Sequence, residues 1–334
     1  MKIKLPFGLV VFFIWLIATA IDRYCWTNLS GIPAWDQADY LNSALDHGRE
    51  INLLEGGNWE GFKSLLDLSP KIPPLASLVN GSIIAIAGYE PKYASWNLSI
   101  WNGLLIFIIA KWGIELRNQY LALLSVSFVA IAPVLVQLRT DYVLELPLTT
   151  SISGAIWLTG LWLHPTKGGK WMQALWSSIF LACSILIKQS SLLVIIPVLI
   201  YSVLIIFKRK KILRYQIITS FLFIIATIIP WLKHNWITFI GGTNRAVFES
   251  AAKEGDPNLL TIENWLWYPK LLPEQIGFAI FLIGISGIII WLRNKNRKNN
   301  YLEKDNIFAW QWLAIILFSS WILTSLSPNK DERY

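Results

Sequence analysis

Charge is scarce in this sequence, and so are the residues that build disulfide frameworks or metal centres. Only 15% of the 334 residues are charged, against about a quarter in an ordinary soluble domain. The two cysteines, Cys25 and Cys183, do not indicate a disulfide framework, because Cys183 lies inside an apolar run. The three histidines, His47, His164 and His234, are scattered. A soluble domain, a disulfide scaffold and a histidine metal site are therefore not indicated.

What the sequence does contain is a series of apolar runs. A helix needs about 17 to 25 residues to cross the roughly 30 Å of hydrocarbon, and runs of this length are too long for barrel strands. The predicted fold class is therefore all-α, a polytopic membrane protein with about nine transmembrane helices. The predicted spans are Leu5–Ile21, Tyr93–Trp112, Tyr120–Gln137, Leu146–Leu163, Met172–Ile187, Ser191–Phe207, Ile217–Leu232, Ile276–Leu292 and Ile307–Leu326. Leu5–Ile21 also fits a cleaved signal peptide, which would leave the later topology unchanged.

The basic residues decide the topology. Pro73–Gly88 is apolar but short, so it either spans or lies on the outer surface. If it lies on the surface and the N-terminus is cytoplasmic, the inner loops hold 16 of the 29 Lys and Arg residues and only three of the 21 acids, as the positive-inside rule requires. If it spans, the basic stretch KRKK (208–211) falls outside. The net charge of +8 thus indicates cytoplasmic loops and no nucleic acid.

This topology predicts a single domain over 1–334 in the plasma (inner) membrane. Residues 22–72 form the first outer loop with one surface helix, 73–88 the second surface helix, and 233–275 the second large outer loop. In the first loop, acids and apolar residues alternate at helical spacing from Ala34 onward. The apolar stripe is Trp35, Ala38, Leu41 and Leu45, and the opposite face is Asp36, Asp39, Ser43 and Asp46. A solvated amphipathic helix and a general base at a membrane active site both explain this pattern.

Charged residues at the predicted outer helix ends are the other candidates. Each has an ordinary explanation, because a lysine can snorkel and an aspartate can cap a helix. Their shared side is a stronger signal, and the near absence of charge at mid-depth argues against a transport pathway. The candidates are Lys71 in SPKIPPLASL (69–78), Arg139 and Asp141 in QLRTDYVLELPL (137–148), Lys188 in LIKQSS (186–191), and Lys330 and Arg333 in SPNKDERY (327–334).

The order of these motifs resembles the GT-C superfamily of membrane glycosyltransferases, in particular the protein O-mannosyltransferase-like enzymes and the aminoarabinose transferase of lipid A. DQADY (36–40) is similar to the Asp-Glu-x-x-Tyr motif of the family's first outer loop, and KIPPL (71–75) to its Lys-Pro-Pro element. An acid at 141, LIKQS (186–190) and KDERY (330–334) follow in the family's order.

That resemblance implies roles for individual residues. Asp36 would be the catalytic base and Asp141 a second essential acid. Lys71, Lys188 and Arg139 would hold the donor phosphate. Further site candidates are Asp39, Tyr40, Lys330 and Arg333.

Three departures from the family pattern stand beside these roles. Gln37 replaces the usual Glu, and Ile72 separates Lys71 from its prolines. The chain also ends at Tyr334, whereas family members continue through further spans, so either a C-terminal part is missing or this is a minimal member. Separately, Asp36 and Asp39 lie one helical turn apart and could share a divalent cation, as an alternative to metal-free chemistry.

The chemistry fits one base and several cations. An acceptor hydroxyl must be deprotonated as it attacks the sugar, and a polyprenyl-phosphate leaving group needs its charge stabilised. The leading hypothesis is an inverting glycosyltransferase that moves a sugar from a polyprenyl-phosphate donor to a lipid, protein or glycan acceptor at the outer face. The alternatives are a transporter or flippase of a lipid-linked substrate and a catalytically inactive scaffold.

Overall fold

The computed structural model describes residues 6–28, 35–53, 59–90, 93–208, 211–294 and 304–330. Within these ranges all regular secondary structure is helical, which confirms the all-α class. The helices are α1 (Phe7–Asn28), α2 (Asp36–Leu53), α3 (Trp59–Asp67), α4 (Leu75–Ala87), α5 (Ala94–Leu116), α6 (Gln119–Ile131), α7 (Pro133–Thr140), α8 (Glu145–Trp162), α9 (Trp171–Ile187), α10 (Leu192–Phe207), α11 (Lys211–Asn244), α12 (Ser250–Glu254), α13 (Ile262–Ile276), α14 (Phe278–Asn294) and α15 (Lys304–Leu326).

The length and composition of the described helices give a range for the number of spanning helices. Five helices in the described ranges are long and apolar enough to cross a membrane, and up to seven if each of two bent pairs is one span. The predicted count of nine is therefore not confirmed. Helix α9 is at the lower limit of spanning length with 17 residues, and α4, which was predicted to lie on the surface, has 13. At 1.5 Å per residue α4 is about 20 Å long, in keeping with its prediction as a helix that does not cross.

One predicted span, Tyr120–Gln137, is broken in two. Helices α6 and α7 meet at an angle of 58°, because Pro133 has no N–H for the carbonyl of Val129 and its ring clashes with that turn. The carbonyls of Val129 and Ala130 accept hydrogen bonds from the Arg139 guanidinium instead, at 3.2 and 2.8 Å. The carbonyls left free at the break are thus bonded by a side chain from the last turn of α7.

The outer loops also contain more helix than the sequence indicated. Helix α1 continues past the predicted end at Ile21, so Asp22 lies in a helix and not in the loop. Helix α11 continues past Leu232 to Asn244, and a π-helical turn (Arg245–Glu249) joins it to α12. About half of the predicted loop 233–275 is therefore helical continuation of α11 through the π-helical turn and α12. The predicted span 276–292 starts instead at Phe278, after a 115° bend at Gly277, where φ is +90°.

The two predicted surface helices pack against each other. A Cβ added at Gly81 on α4 would lie 2.7 Å from the carbonyl oxygen of Ala44 on α2, so the backbones touch. The Ser43 hydroxyl bonds to the hydroxyls of Ser69 and Ser77, both at 3.0 Å. Ser43 therefore faces α4 and not water, contrary to the helical-wheel prediction.

The apolar stripe of α2 is partly as predicted. Leu41 is buried and Leu45 packs against the same core. Trp35, expected at the start of that stripe, is instead 91% exposed. Because Trp35 precedes the first residue of α2, the helical periodicity that placed it does not apply there.

Candidate active site

A large open cavity of about 1800 Å³ lies where several helix ends meet. Small-molecule sites are commonly about 300–1000 Å³, so this one has room for a lipid-linked sugar and an acceptor. Its walls are the start of α2, residues 71–72, α7, the turn between α9 and α10, the α11–α12 junction, α13 and the end of α15. Each of these segments was predicted on the outer side.

A second, small cavity of about 70 Å³ is lined by the ends of α5 and α8, the loop that follows α8, and the first turns of α15. Trp312 lines the small cavity and Leu323 lines the large one, although both belong to α15. Their spacing of eleven positions along the helix corresponds to about 16 Å. The bundle therefore has two distinct ends, and the large cavity belongs to only one of them.

The large cavity brings five of the nine predicted site residues together. These are Asp36, Tyr40, Lys71, Lys188 and Lys330. Asp36 is exposed in the first turn of α2, and Tyr40 is buried one turn later. Asp39, Arg139 and Asp141 are not among the lining residues, and Arg333 lies outside the described residues.

Asp141 does not line the cavity but contacts a residue that does. Its carboxylate accepts a hydrogen bond from the side chain of Gln137 at 3.3 Å, and Gln137 lines the cavity. Asp141 ends α7 and does not cap α8, whose first turn follows Leu144 without a side-chain cap. The interpretation of Asp141 as the cap of α8 is therefore wrong. Asp141 contacts the cavity lining only through the side chain of Gln137.

Tyr142, the residue after Asp141, is buried in the core and is hydrogen-bonded to two neighbouring helices. The Tyr142 hydroxyl accepts hydrogen bonds from Asn80 at 3.0 Å and Asn97 at 3.1 Å, and Trp101 donates to Asn80 at 2.9 Å. Burial raises the pKa of Tyr142 to about 12. The segment that carries Asp141 is thus tied to α4 and α5 by neutral hydrogen bonds.

Arg139 was expected to bind the donor phosphate, but its side chain is buried and bonded within the protein. Its Nε donates to Asp22 of α1 at 2.8 Å, and both side chains are almost fully buried. Its remaining nitrogens reach the carbonyls freed by the break before Pro133. Arg139 therefore joins α1, α6 and α7, and its donors are already engaged.

Lys188 lines the cavity but is already paired. Its Nζ lies 2.5 Å from Glu145 Oε1, with 13% of the lysine side chain and 2% of the glutamate side chain exposed. Glu145 is not among the residues predicted from the sequence, although an acid at the start of an apolar span is itself a signal. The Lys188–Glu145 pair has a net charge near zero, and the Lys188 ammonium still lines the cavity.

Lys330 is a helix cap as well as a lining residue. Its Nζ donates to the carbonyls of Thr324 at 3.2 Å and Ser325 at 2.9 Å, and also to that of Ser327. A cation there suits the negative end of the α15 dipole. Burial lowers the pKa of Lys330, and the nearby Asp256 carboxylate opposes this effect.

Two lining cations remain available to an anion, Lys71 and Arg245. Among the described residues, Lys71 has no hydrogen bond or ion pair, and it is exposed. Arg245 approaches Glu249 only at 4.0 Å, with 71% of its side chain exposed. The two segments are neighbours, because a Cβ added at Gly242 would lie 3.9 Å from Lys71 Cβ. Arg245 was not predicted from the sequence, because it is a single arginine in a predicted loop without a recognised motif.

The predicted alternative of a divalent cation between Asp36 and Asp39 stays a prediction. In the described part of the chain, no three His, Cys, Asp or Glu side chains come together as a metal site would require. Asp39 also does not line the cavity beside Asp36.

The comparison with known families bears on the middle of the chain. Residues 71–234 match the family model described as dolichyl-phosphate-mannose-protein mannosyltransferase. Over this stretch the chain is mannosyltransferase-like. The mannosyltransferase-like region begins at Lys71 and contains Asp141 and Lys188, whereas Asp36 and Arg245 lie outside it. Together with its apolar helices, the match confirms the resemblance to membrane-embedded mannosyltransferases and the prediction of an integral membrane protein.

A solved structure is also similar to this chain. It is the S. cerevisiae protein O-mannosyltransferase Pmt1–Pmt2 complex bound to the sugar donor, at 14% identity and a TM-score of 0.46. The alignment covers 72% of this chain and 34% of that chain, so the chain spans about a third of that protein's length. No curated protein matches the chain.

Proposed function

We propose that the protein is an inverting glycosyltransferase that moves a sugar from a polyprenyl-phosphate donor to a hydroxyl acceptor. The observation that carries the proposal is the cavity at one end of an apolar bundle, which is lined by Asp36, Lys71 and Arg245. One carboxylate and two available cations are the groups that this reaction needs. The match to a mannosyltransferase family supports the same reaction class.

Asp36 is the proposed general base. Its carboxylate takes the proton of the acceptor hydroxyl as the acceptor oxygen bonds to the anomeric carbon. The bond between that carbon and the phosphate oxygen breaks on the opposite face of the sugar, which inverts the anomeric centre. No proton is required by the departing polyprenyl phosphate, because its charge is stabilised by cations.

Lys71 and Arg245 are the proposed phosphate ligands. Arginine offers a planar fork of donors to phosphate oxygens, and lysine a compact charge. Lys188 adds an ammonium whose charge Glu145 already balances. The apolar side chains of Val134, Leu192 and Leu193 line the same cavity and would contact the isoprenoid end of the donor.

The proposed location is the plasma membrane, with the N-terminus cytoplasmic and the cavity on the outer face. The positive-inside rule supports this orientation, because Lys167, from one of the predicted cytoplasmic loops, lines the small cavity at the other end of the bundle. Labelling of a single cysteine introduced near Lys71, by a membrane-impermeant reagent in intact cells, tests it. Labelling only after the membrane is opened would reverse the orientation.

The test of the reaction is transfer of labelled sugar from a polyprenyl-phosphate donor by membranes that contain the protein. We expect Asp36→Asn to reduce transfer by about 10²- to 10⁴-fold, the usual contribution of a positioned base, with donor binding retained. Asp46→Asn on the same helix is the matched control, because Asp46 pairs with Arg49 at the surface. Full activity of Asp36→Asn would remove the assigned base. Movement of labelled lipid across the membrane without sugar transfer would favour the flippase alternative.

A further inference from the structure

The small cavity at the other end of the bundle has no part in the proposed reaction, and a carboxylate lines it. Glu115 belongs to this lining, and its side chain is partly exposed. Its Oε2 accepts a hydrogen bond from Trp157 Nε1 at 2.8 Å. Among the described residues this is the one hydrogen bond to the carboxylate, so the second oxygen can accept a hydrogen bond from a ligand.

The backbone makes this end of the bundle more negative. Helices α5 and α8 end beside the cavity, at Leu116 and Trp162, and the C-terminal end of a helix carries partial negative charge. Both last turns are described in full, and neither contains a basic residue, whereas the end of α15 is capped by Lys330. A carboxylate in the last turn of α5 costs helix stability, and a bound cation would offset that cost.

Three indole rings line the same cavity, those of Trp112, Trp157 and Trp312. The N–H of Trp157 is bonded to Glu115, and the N–H of Trp312 to the Ile156 carbonyl at 2.9 Å. These two side chains therefore offer a ligand their rings and no donors. Among aromatic residues, tryptophan attracts cations most strongly. The rings and the carboxylate thus favour a ligand of the same charge.

The size and charge of the cavity restrict that ligand further. A volume of about 70 Å³ is several times what one water requires but well below the roughly 300 Å³ at which ordinary small-molecule sites begin, so a whole sugar or nucleotide does not fit. In the described part of the chain, no three His, Cys, Asp or Glu side chains gather as a metal site would require. A small organic cation remains. The open acceptor oxygen of Glu115 favours a primary ammonium, which donates hydrogen bonds, over a quaternary one, which has no N–H.

We propose that Glu115, Trp112, Trp157 and Trp312 form a site for a primary alkylammonium group. The carboxylate accepts a charge-assisted hydrogen bond from the ammonium, and the indole rings contact the cation and the carbon next to it. Lys167 is exposed at the same cavity and would contact an anionic group attached to the amine. The amine can come from an aminophospholipid head group or from a soluble amine. The proposal does not depend on sugar transfer, which belongs to the other cavity.

The test measures dissociation constants of the full chain in detergent, from ligand-dependent shifts of the unfolding temperature. Ethylammonium and phosphatidylethanolamine carry the proposed group, whereas ethanol and phosphatidylglycerol are matched ligands without an ammonium and should not compete. Glu115→Gln keeps the side-chain shape and should weaken ammonium binding by about 10- to 100-fold, the usual effect of a hydrogen bond to a charged group. Trp112→Leu should weaken it by about 2- to 30-fold, and Trp112→Phe, which keeps a ring, by less.

Two control variants lie at the same end of the bundle. Trp171 begins α9, is 50% exposed and does not line the cavity, so Trp171→Leu should leave ammonium binding unchanged. Lys167→Met removes a cation that competes for Glu115, so it should leave ethylammonium binding unchanged or stronger. It should weaken phosphatidylethanolamine binding if the lipid phosphate contacts Lys167.

The two ligands distinguish the two sources of the amine. Tighter binding of phosphatidylethanolamine than of ethylammonium, reduced by Lys167→Met, identifies the lipid head group, and equal or tighter binding of ethylammonium identifies a soluble amine. The site would be overturned if neither ligand bound, or if ethanol and phosphatidylglycerol competed equally well. Wild-type affinity for both ammonium ligands in Glu115→Gln, or equal losses in Trp112→Leu and Trp171→Leu, would also overturn it.

Discussion

Replacing Arg139 by methionine should destabilise the protein rather than remove a phosphate ligand. The substitution leaves the Asp22 carboxylate, of which 8% of the side chain is exposed, without its cation. It also removes the donors to the Val129 and Ala130 carbonyls. Methionine has a similar volume, so the loss is mainly one of charge and hydrogen bonds.

The expected magnitude follows from the burial of the pair. Breaking a buried ion pair by removing one partner typically costs about 3–5 kcal/mol. With the unfolding entropy typical of globular proteins, about 2.1 cal/mol/K per residue, the 334 residues give about 0.7 kcal/mol/K. The apparent Tm in detergent should therefore fall by about 4–7 °C. Arg49→Met is the control, because its pair with Asp46 is exposed and worth at most about 1 kcal/mol.

The second substitution separates a structural role from a binding role. Asp22→Leu combined with Arg139→Met removes the unpaired charge, and such replacements of buried pairs are often neutral or stabilising. The double variant should recover most of the lost Tm and bind donor lipid with wild-type affinity. The reasoning would be refuted if Arg139→Met kept the wild-type Tm while donor affinity fell, because Arg139 would then be a phosphate ligand.

Two further predictions concern the contact between α2 and α4. Gly81→Ala should lower the free energy of unfolding by about 1–3 kcal/mol, because the added Cβ would lie 2.7 Å from the Ala44 carbonyl oxygen. Gly284→Ala is the control, because no atom lies within 4 Å of the added Cβ, and it should leave the apparent Tm unchanged or raised. Equal effects of the two substitutions would refute the close packing of α2 on α4. Burial lowers the pKa of His47, so the unfolded chain binds the proton more readily and stability should fall as pH drops below about 6.5, by up to about 1.4 kcal/mol per pH unit. Unfolding temperatures between pH 7.5 and 5.5 should decline less steeply in His47→Leu, and parallel curves would show that another group titrates.

Hydrophobic pattern predicted the helices well, because each apolar run in the described part of the chain is helical. It failed where a single residue interrupts the backbone. Pro133 and Gly277 both lie in or beside apolar runs, and composition alone does not reveal a 58° or a 115° bend. It also failed at α11, where moderate polarity after Leu232 suggested a loop. Local hydrogen bonding continues the helix to Asn244 despite that polarity.

Charge pattern predicted the side of the bundle better than the role of each charge. Lys71, Lys188 and Arg139 have the same sequence signature, a cation at an outer helix end. In the structure one is available, one is paired with Glu145, and one is buried against Asp22. Arg245 had no such signature, because its importance comes from the π-helical turn that brings it to the cavity.

The role of Arg139 could not be predicted from the sequence, because its partner is far away along the chain. Arg139 and Asp22 are 117 positions apart, and nothing near either residue announces the other. The local cause is nevertheless visible in the sequence, because Pro133 must leave carbonyls of the preceding turn without backbone donors. In a membrane those carbonyls need a donor from within the protein, and Arg139 lies near enough on α7 to supply one. A proline six residues before an arginine in an apolar run should therefore lead one to test a structural role for the arginine before a ligand role.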